Sequence, residues 1–123
     1  MNYNELTRRY FTNTAGAGEL HGPGVFRGAA GNLGQGTWVQ FDLQIRAGSV
    51  AAARFLAFAD PHTIAVSAWL TEQAVGKLVR PNLSESVQAL QERFAVPIEK
   101  TGRLLIIEDA WLAAAVPAID YRS

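Results

Sequence analysis

The side chains best able to bind a metal ion are a carboxylate and an imidazole two positions apart, Asp60 and His62. Both groups are ligands for iron or zinc, so the pair is a candidate metal site. Two ligands are fewer than the three or four that proteins usually supply. Pro61 also predicts the start of a helix, with Asp60 as its N-cap and His62 in an exposed first turn. Helix capping is the preferred interpretation, and a metal site is the alternative.

Other patterns that could indicate chemistry are weak. His21, the second histidine, lies in a glycine-rich segment, and neither histidine accompanies a serine in a nucleophile elbow. The four glycines between residues 28 and 36 do not have nucleotide-binding spacing, and no helix start follows them. Glu108 and Asp109 are adjacent in a predicted helix, so they diverge by about 100° and do not form a catalytic dyad. We therefore expect no enzyme activity.

Composition predicts one domain over residues 1–123, because 123 residues with 49% hydrophobic content suit a single core. Eleven basic and eleven acidic residues cancel, which argues against nucleic-acid binding. The chain has no cysteine, so disulfides and thiolate metal sites are excluded. No apolar run approaches the roughly 20 residues that span a membrane, and the first residues do not resemble a signal peptide. We expect a cytoplasmic protein.

One strand is predicted by strict alternation of apolar and polar residues between positions 39 and 46, which places one face on the core and the other in water. Residues 47–49 supply a turn, and residues 50–58 return as an antiparallel partner. A weaker strand is expected at about residues 25–29. Together they form a three-stranded antiparallel sheet. Residues 14–24 contain four glycines and a proline, so this segment, like residues 1–2, is expected to be flexible.

Four helices are predicted around this sheet. The first spans about residues 3–11 with an Asn2 and Glu5 capping box, and the second continues for about 15 residues from Pro61. The third spans about residues 83–94 with a capping box at Asn82 and Glu85. The fourth spans about residues 104–121, and Pro117 should kink it or end it early. Its core-facing residues are predicted to be Leu105, Leu112, Val116 and Ile119. The expected class is α+β, with the helices packed on one face of the sheet.

Three segments carry a family resemblance that extends from about residue 3 to residue 121. They are residues 53–65 at the predicted strand-to-helix turn, Gly34-Gln35-Gly36-Thr37 before the long strand, and residues 100–110, Lys-Thr-Gly-Arg-Leu-Leu-Ile-Ile-Glu-Asp-Ala. The chain resembles the U-type iron-sulfur cluster assembly scaffolds, the family of IscU and the N-terminal domain of NifU. The resemblance implies the fold of that family.

The resemblance also implies that every position of the family's cluster ligands is altered. Asp60 stands where the family has a cysteine at the turn. Gln35 replaces another cysteine and Thr37 replaces an aspartate. Gly102 replaces a histidine and Arg103 the third cysteine. We therefore expect no cofactor, and we expect Gln35, Asp60 and Arg103 to converge, with Asp60 and Arg103 forming a salt bridge.

The resemblance further implies a protein partner. Val96-Pro97-Ile98-Glu99-Lys100 occupies the place of the family's Leu-Pro-Pro-Val-Lys segment, which a specialised chaperone recognises, so Val96, Pro97 and Lys100 are candidate contacts. The first helix and the loops near residues 35, 60 and 103 correspond to the region that faces the cysteine desulfurase. The expected function is a non-catalytic binding or regulatory paralogue linked to iron-sulfur cluster assembly. Its partner would be a cysteine desulfurase or another assembly component, and it could be a homodimer.

The alternative function is an iron-sulfur or metal-handling scaffold that uses ligands other than cysteine. Its ligands would include Asp60 and His62, and its metal would be iron or zinc.

Overall fold

The computed structural model describes residues 3–13 and 15–121. In these residues an antiparallel sheet has the strand order β1-β2-β3. The strands are β1 (Val25–Asn32), β2 (Thr37–Arg46) and β3 (Ser49–Phe58). Ala47 and Gly48 join β2 to β3 with φ angles of 52° and 79°, which match the positive φ that tight hairpin turns need. The predicted three-stranded sheet is confirmed, and β1 is three residues longer than expected.

Four helices complete the described part of the fold. They are α1 (Glu5–Thr12), α2 (Pro61–Ala74), α3 (Val87–Arg93) and α4 (Thr101–Ala118). Helix α4 packs on β1 and β2, α2 packs on β3, and α1 packs on α2. The rings of Phe41 in β2 and Trp111 in α4 meet edge to face at 5.2 Å in the core. The predicted α+β class is confirmed. None of the helices described is long and apolar enough to cross a membrane.

Helix α1 begins later than predicted. Asn4 is its N-cap, and the Asn4 side chain accepts a hydrogen bond from the Thr7 backbone N–H at 2.9 Å. The helix therefore starts at Glu5 rather than at residue 3. The predicted capping box cannot hold with Glu5 as the first helical residue, and its other member, Asn2, lies outside the described residues.

Helix α3 also begins later, at Val87 rather than at about residue 83. Ser86 is the N-cap, and its hydroxyl accepts a hydrogen bond from the Ala89 backbone N–H at 3.1 Å. The predicted Asn82 and Glu85 capping box is wrong because the Glu85 carboxylate instead pairs with the Arg93 guanidinium.

Helix α4 turns a different stripe toward the sheet than predicted. Leu105 and Val116, two of the four residues expected in the core, are 48% and 52% exposed. The buried stripe is Leu104, Ile107, Ala110, Trp111, Ala114, Ala115 and Ala118. A mostly apolar helix offers several stripes with similar spacing, so periodicity did not select the correct one. The helix ends at Ala118, one residue after Pro117, which confirms the expected early end.

The alternation along β2 predicted that the second face of the sheet would lie in water, but part of this face is buried. Asp42 is 1% exposed and Gln40 is also buried. Residues 19–27 cover them: the Leu20 backbone N–H donates to Asp42 Oδ2 at 2.8 Å, and Arg27 Nε donates to Asp42 Oδ1 at 2.8 Å. Glu19 accepts a hydrogen bond from the Gln40 amide at 3.1 Å. A buried carboxylate is tolerated here because its oxygens have partners.

The segment predicted to be flexible contacts β3. The Gly18 N–H donates to the Phe55 carbonyl, and the Phe55 N–H donates to the Gly16 carbonyl, both at 2.9 Å. These bonds place residues 16–18 alongside β3. The flexibility of residues 14–24 and the single-domain organisation stay predictions. Residues 1–2, also expected to be flexible, and residue 14 lie outside the described residues.

Candidate functional site at the start of α2

Asp60 caps α2, as the sequence predicts. Its backbone is extended, with φ −76° and ψ 168°, and its Oδ1 accepts a hydrogen bond from the Thr63 backbone N–H at 3.0 Å. Pro61 occupies the first turn, where backbone N–H groups have no acceptor within the helix, so the missing N–H of proline costs no hydrogen bond. The cap fixes the carboxylate at the junction of β3 and α2, with its second oxygen free to bind another group.

The second oxygen of Asp60 is shared by two cations. Arg103 Nη1 and Lys100 Nζ each lie 2.9 Å from Asp60 Oδ2. Arg103 is in the first turn of α4, and Lys100 ends the 3₁₀ turn Ile98–Lys100 that precedes it. The predicted salt bridge between Asp60 and Arg103 is therefore present, and Lys100 joins it. We call Asp60, Lys100 and Arg103 the ion cluster.

The ion cluster keeps Asp60 ionised. Burial acts to raise the pKa of Asp60, but the hydrogen bonds from Thr63 and Lys100 outweigh it and lower the pKa to about 2. At neutral pH the cluster thus contains one carboxylate between two positive charges. It links the end of β3 to the start of α4 across more than forty residues of chain.

His62 is buried, and its predicted position in an exposed turn is wrong. Its side chain is 4% exposed, and the ring of Tyr3 lies edge-on at 4.7 Å between centroids. Its Nδ1 has no hydrogen-bond partner among the described residues and lies 3.8 Å from Asp60 Oδ2. Burial first, and then the charge of Lys100, lower the pKa of His62. The imidazole is therefore neutral at pH 7.

The other positions predicted to replace cluster ligands of the family do not join the ion cluster. Gln35 is exposed in the 3₁₀ turn between β1 and β2, and Gly102 is exposed in α4. Thr37 is buried at the start of β2. Gln35 is at the same end of the sheet as Asp60, because Trp38 pairs with Phe58. No hydrogen bond or ion pair connects Gln35 or Thr37 with Asp60 in the residues described.

The candidate partner segment is only partly available on the surface. Val96 is buried in the core, so it is not a surface contact in this structure, and the Lys100 ammonium is held by Asp60. Pro97 is half-buried. Ile98, which the family comparison did not select, is 85% exposed. No signal in the local sequence indicated that Ile98 would be exposed.

The residues at this site do not fit an iron-sulfur cluster. Such clusters are held mainly by cysteine thiolates, and the chain has none. No group of three or more histidine, aspartate or glutamate side chains with metal-binding geometry occurs in residues 3–13 and 15–121. A cation approaching Asp60 Oδ2 would also meet Lys100 and Arg103.

Comparisons with known proteins agree with the architecture. The family described as the NifU-like N terminal domain matches residues 2–122. No match was found among curated proteins.

Two solved structures share the fold at low sequence identity. One, from Fervidobacterium islandicum AW-1, is described as an iron-sulfur cluster assembly scaffold protein for the SUF system. It has 14% identity and a TM-score of 0.70, over 93% of this chain and 94% of that one. The other is a nitrogen-fixing NifU-like protein (N-terminal) from Brucella abortus, with 17% identity and a TM-score of 0.67, over 95% and 93% of the two chains. The family match covers nearly all of the sequence. The chain therefore belongs to the NifU-like N-terminal domain family.

Proposed function

We propose that this protein is a non-catalytic docking or regulatory member of its family, linked to iron-sulfur cluster assembly. Its partner would be a cysteine desulfurase or another assembly component. The observation that carries the proposal is the ion cluster, in which the carboxylate at the family's cysteine position is bound by two cations. A side chain used in this way links two elements of the fold rather than holding iron.

Exposed apolar residues accompany the ion cluster in the sequence. Phe58 precedes Asp60 by two residues and is 56% exposed. Ile98 and Leu105 flank Lys100 and Arg103 and are also exposed. Protein interfaces combine aromatic and aliphatic side chains with arginine and a polar rim. This composition supports docking of a protein near the starts of α2 and α4, which the ion cluster brings together.

A binding experiment with a matched pair of variants tests the proposal. Isothermal titration with the cysteine desulfurase of the same organism should show a complex. Leu105→Asp should weaken it by about tenfold or more, because it places a charge in an apolar contact. Val116→Asp is the control, since it has similar exposure on the same helix but lies about 16 Å further along it. No binding to any purified assembly component, or equal loss in both variants, would overturn the proposal.

We also propose a second copy of this chain as a partner, which would make the protein a homodimer. Sedimentation velocity should then show a dimer that Leu105→Asp dissociates and Val116→Asp does not. A monomer at all concentrations would remove the homodimer from the proposal. The proposal also includes a cytoplasmic location, which cell fractionation tests.

The unpaired nitrogen of His62 favours one alternative, a metal-handling protein with Asp60 and His62 as ligands. The buried Nδ1 is 3.8 Å from Asp60 Oδ2, so both atoms could face one ion. Elemental analysis of untagged protein purified without oxygen tests this alternative. Near-stoichiometric iron or zinc that disappears in Asp60→Ala but stays in Asp109→Asn would support it and contradict the docking proposal.

A further inference from the structure

A cleft of about 210 Å³ lies at the far end of α2 from the ion cluster. Helix α2 has 14 residues, so the two sites are separated by roughly 20 Å along its axis. The last turn of α2, the segment 77–84 and α4 enclose the cleft. Its apolar lining consists of almost fully buried residues, Val50, Leu70 and Trp111, and of more exposed ones, Ala74, Leu78 and Val79.

The walls of the cleft are fixed by hydrogen bonds to other elements. The Val50 N–H donates to the Lys77 carbonyl, and the Gly76 N–H donates to the Val50 carbonyl, both at 2.8 Å. Trp111 Nε1 donates to the Arg80 carbonyl at 3.3 Å. The segment is therefore tied to both the sheet and α4. A ligand would enter a cleft that is already formed, which lowers the cost of binding.

The charged residues that line the cleft are all basic. Lys77 and Arg80 contribute to its lining, and no aspartate or glutamate among the described residues does. Both cations are exposed, and neither side chain forms an ion pair or hydrogen bond within the described ranges 3–13 and 15–121. Gln73, Asn82 and Ser84 add polar groups. Two unpaired cations beside a buried apolar surface are complementary to an anion with an apolar body.

We propose that this cleft binds a small molecule that has an apolar body and one carboxylate. The body would lie on the apolar lining between Trp111 and Leu78, and the carboxylate would accept hydrogen bonds from Lys77 and Arg80. The cleft is smaller than the roughly 300–1,000 Å³ of most ligand pockets, so the ligand is short. The proposal does not depend on the proposed protein partner, because none of these residues belongs to the ion cluster.

Titration with octanoate tests the proposal, with 1-octanol as the neutral match and butyrate as a shorter carboxylate. Nuclear magnetic resonance would follow the Trp111 indole signal, and calorimetry would give the affinity. Octanoate or butyrate should saturate the site, and 1-octanol should bind at least about tenfold more weakly, since a charge-assisted hydrogen bond contributes on that scale. Lys77→Gln and Arg80→Gln should each weaken carboxylate binding by about tenfold.

Arg9→Gln is the charge-matched control, because Arg9 is an exposed cation on α1 that does not line the cleft. It should bind the carboxylate as the unmodified protein does. The proposal is overturned if neither carboxylate saturates the Trp111 signal, or if 1-octanol binds equally well. Equal weakening by Arg9→Gln and Lys77→Gln would also overturn it, since the effect would then reflect net charge alone.

Discussion

Asp60→Asn should lower the free energy of unfolding at pH 7 by ~2 kcal/mol. The pKa of Asp60 is about 2 rather than 3.8, a difference of about 1.8. Because each pKa unit corresponds to about 1.4 kcal/mol, the whole shift corresponds to about 2–3 kcal/mol, of which asparagine should keep a part. The side chain is 17% exposed, so solvent screens little of this effect. Asparagine keeps an oxygen that can accept the Thr63 hydrogen bond, so the loss should come mainly from the hydrogen bond and charge interaction with Lys100.

Urea unfolding followed by tryptophan fluorescence measures this loss at several pH values. Because the folded pKa is depressed, the stabilisation is complete above the unfolded pKa of 3.8 and is lost as the pH falls through about 2. The difference between Asp60→Asn and the unmodified protein should therefore shrink over that interval. Asp109→Asn, at an exposed position of α4, is the control and should change stability by less than about 0.5 kcal/mol. Equal stability of Asp60→Asn and the unmodified protein at pH 7 would refute the reasoning.

Three further predictions concern the imidazole, the contact of β1 with α4 and the covered carboxylate. Burial lowers the pKa of His62, so stability should decrease as the pH falls below about 6.5, and His62→Phe should remove that part of the slope in urea unfolding. Gly28→Ala should greatly lower the melting temperature because a Cβ would collide with the α4 backbone, whereas Gly102→Ala, with open space, should stabilise the helix by ~0.5–1 kcal/mol. Asp42→Ala should lower the free energy of unfolding by ~1–3 kcal/mol because it removes the buried acceptor of the Leu20 N–H, and hydrogen exchange at Leu20 should accelerate. Unchanged behaviour in any of these measurements would contradict the corresponding contact.

The parts of the structure that local sequence determines were predictable. Asp60 followed by Pro61 predicts a helix start from capping preferences alone, and α2 begins at Pro61. The alternation along β2 identified Val39 and Phe41 as core residues, and both are fully buried. The salt bridge between Asp60 and Arg103 was predictable only through the family resemblance, because these residues are 43 positions apart.

The parts that depend on distant segments were not predictable. His62 is buried because Tyr3, nearly sixty residues earlier in the chain, packs against it. Asp42 is buried because Leu20 and Arg27 reach across the sheet to bind it. A polar residue in an alternating strand normally faces water, so no local pattern could indicate this cover.

The pairing of residues 16–18 with Phe55 has a consequence for behaviour at high concentration. Strand β3 borders the sheet, and an exposed border strand is a template on which another chain can add and begin aggregation. Gly16 and Gly18 occupy the outward backbone groups of Phe55, and Gly76 and Lys77 occupy those of Val50. The chain therefore blocks strand addition at two places along β3 with its own backbone.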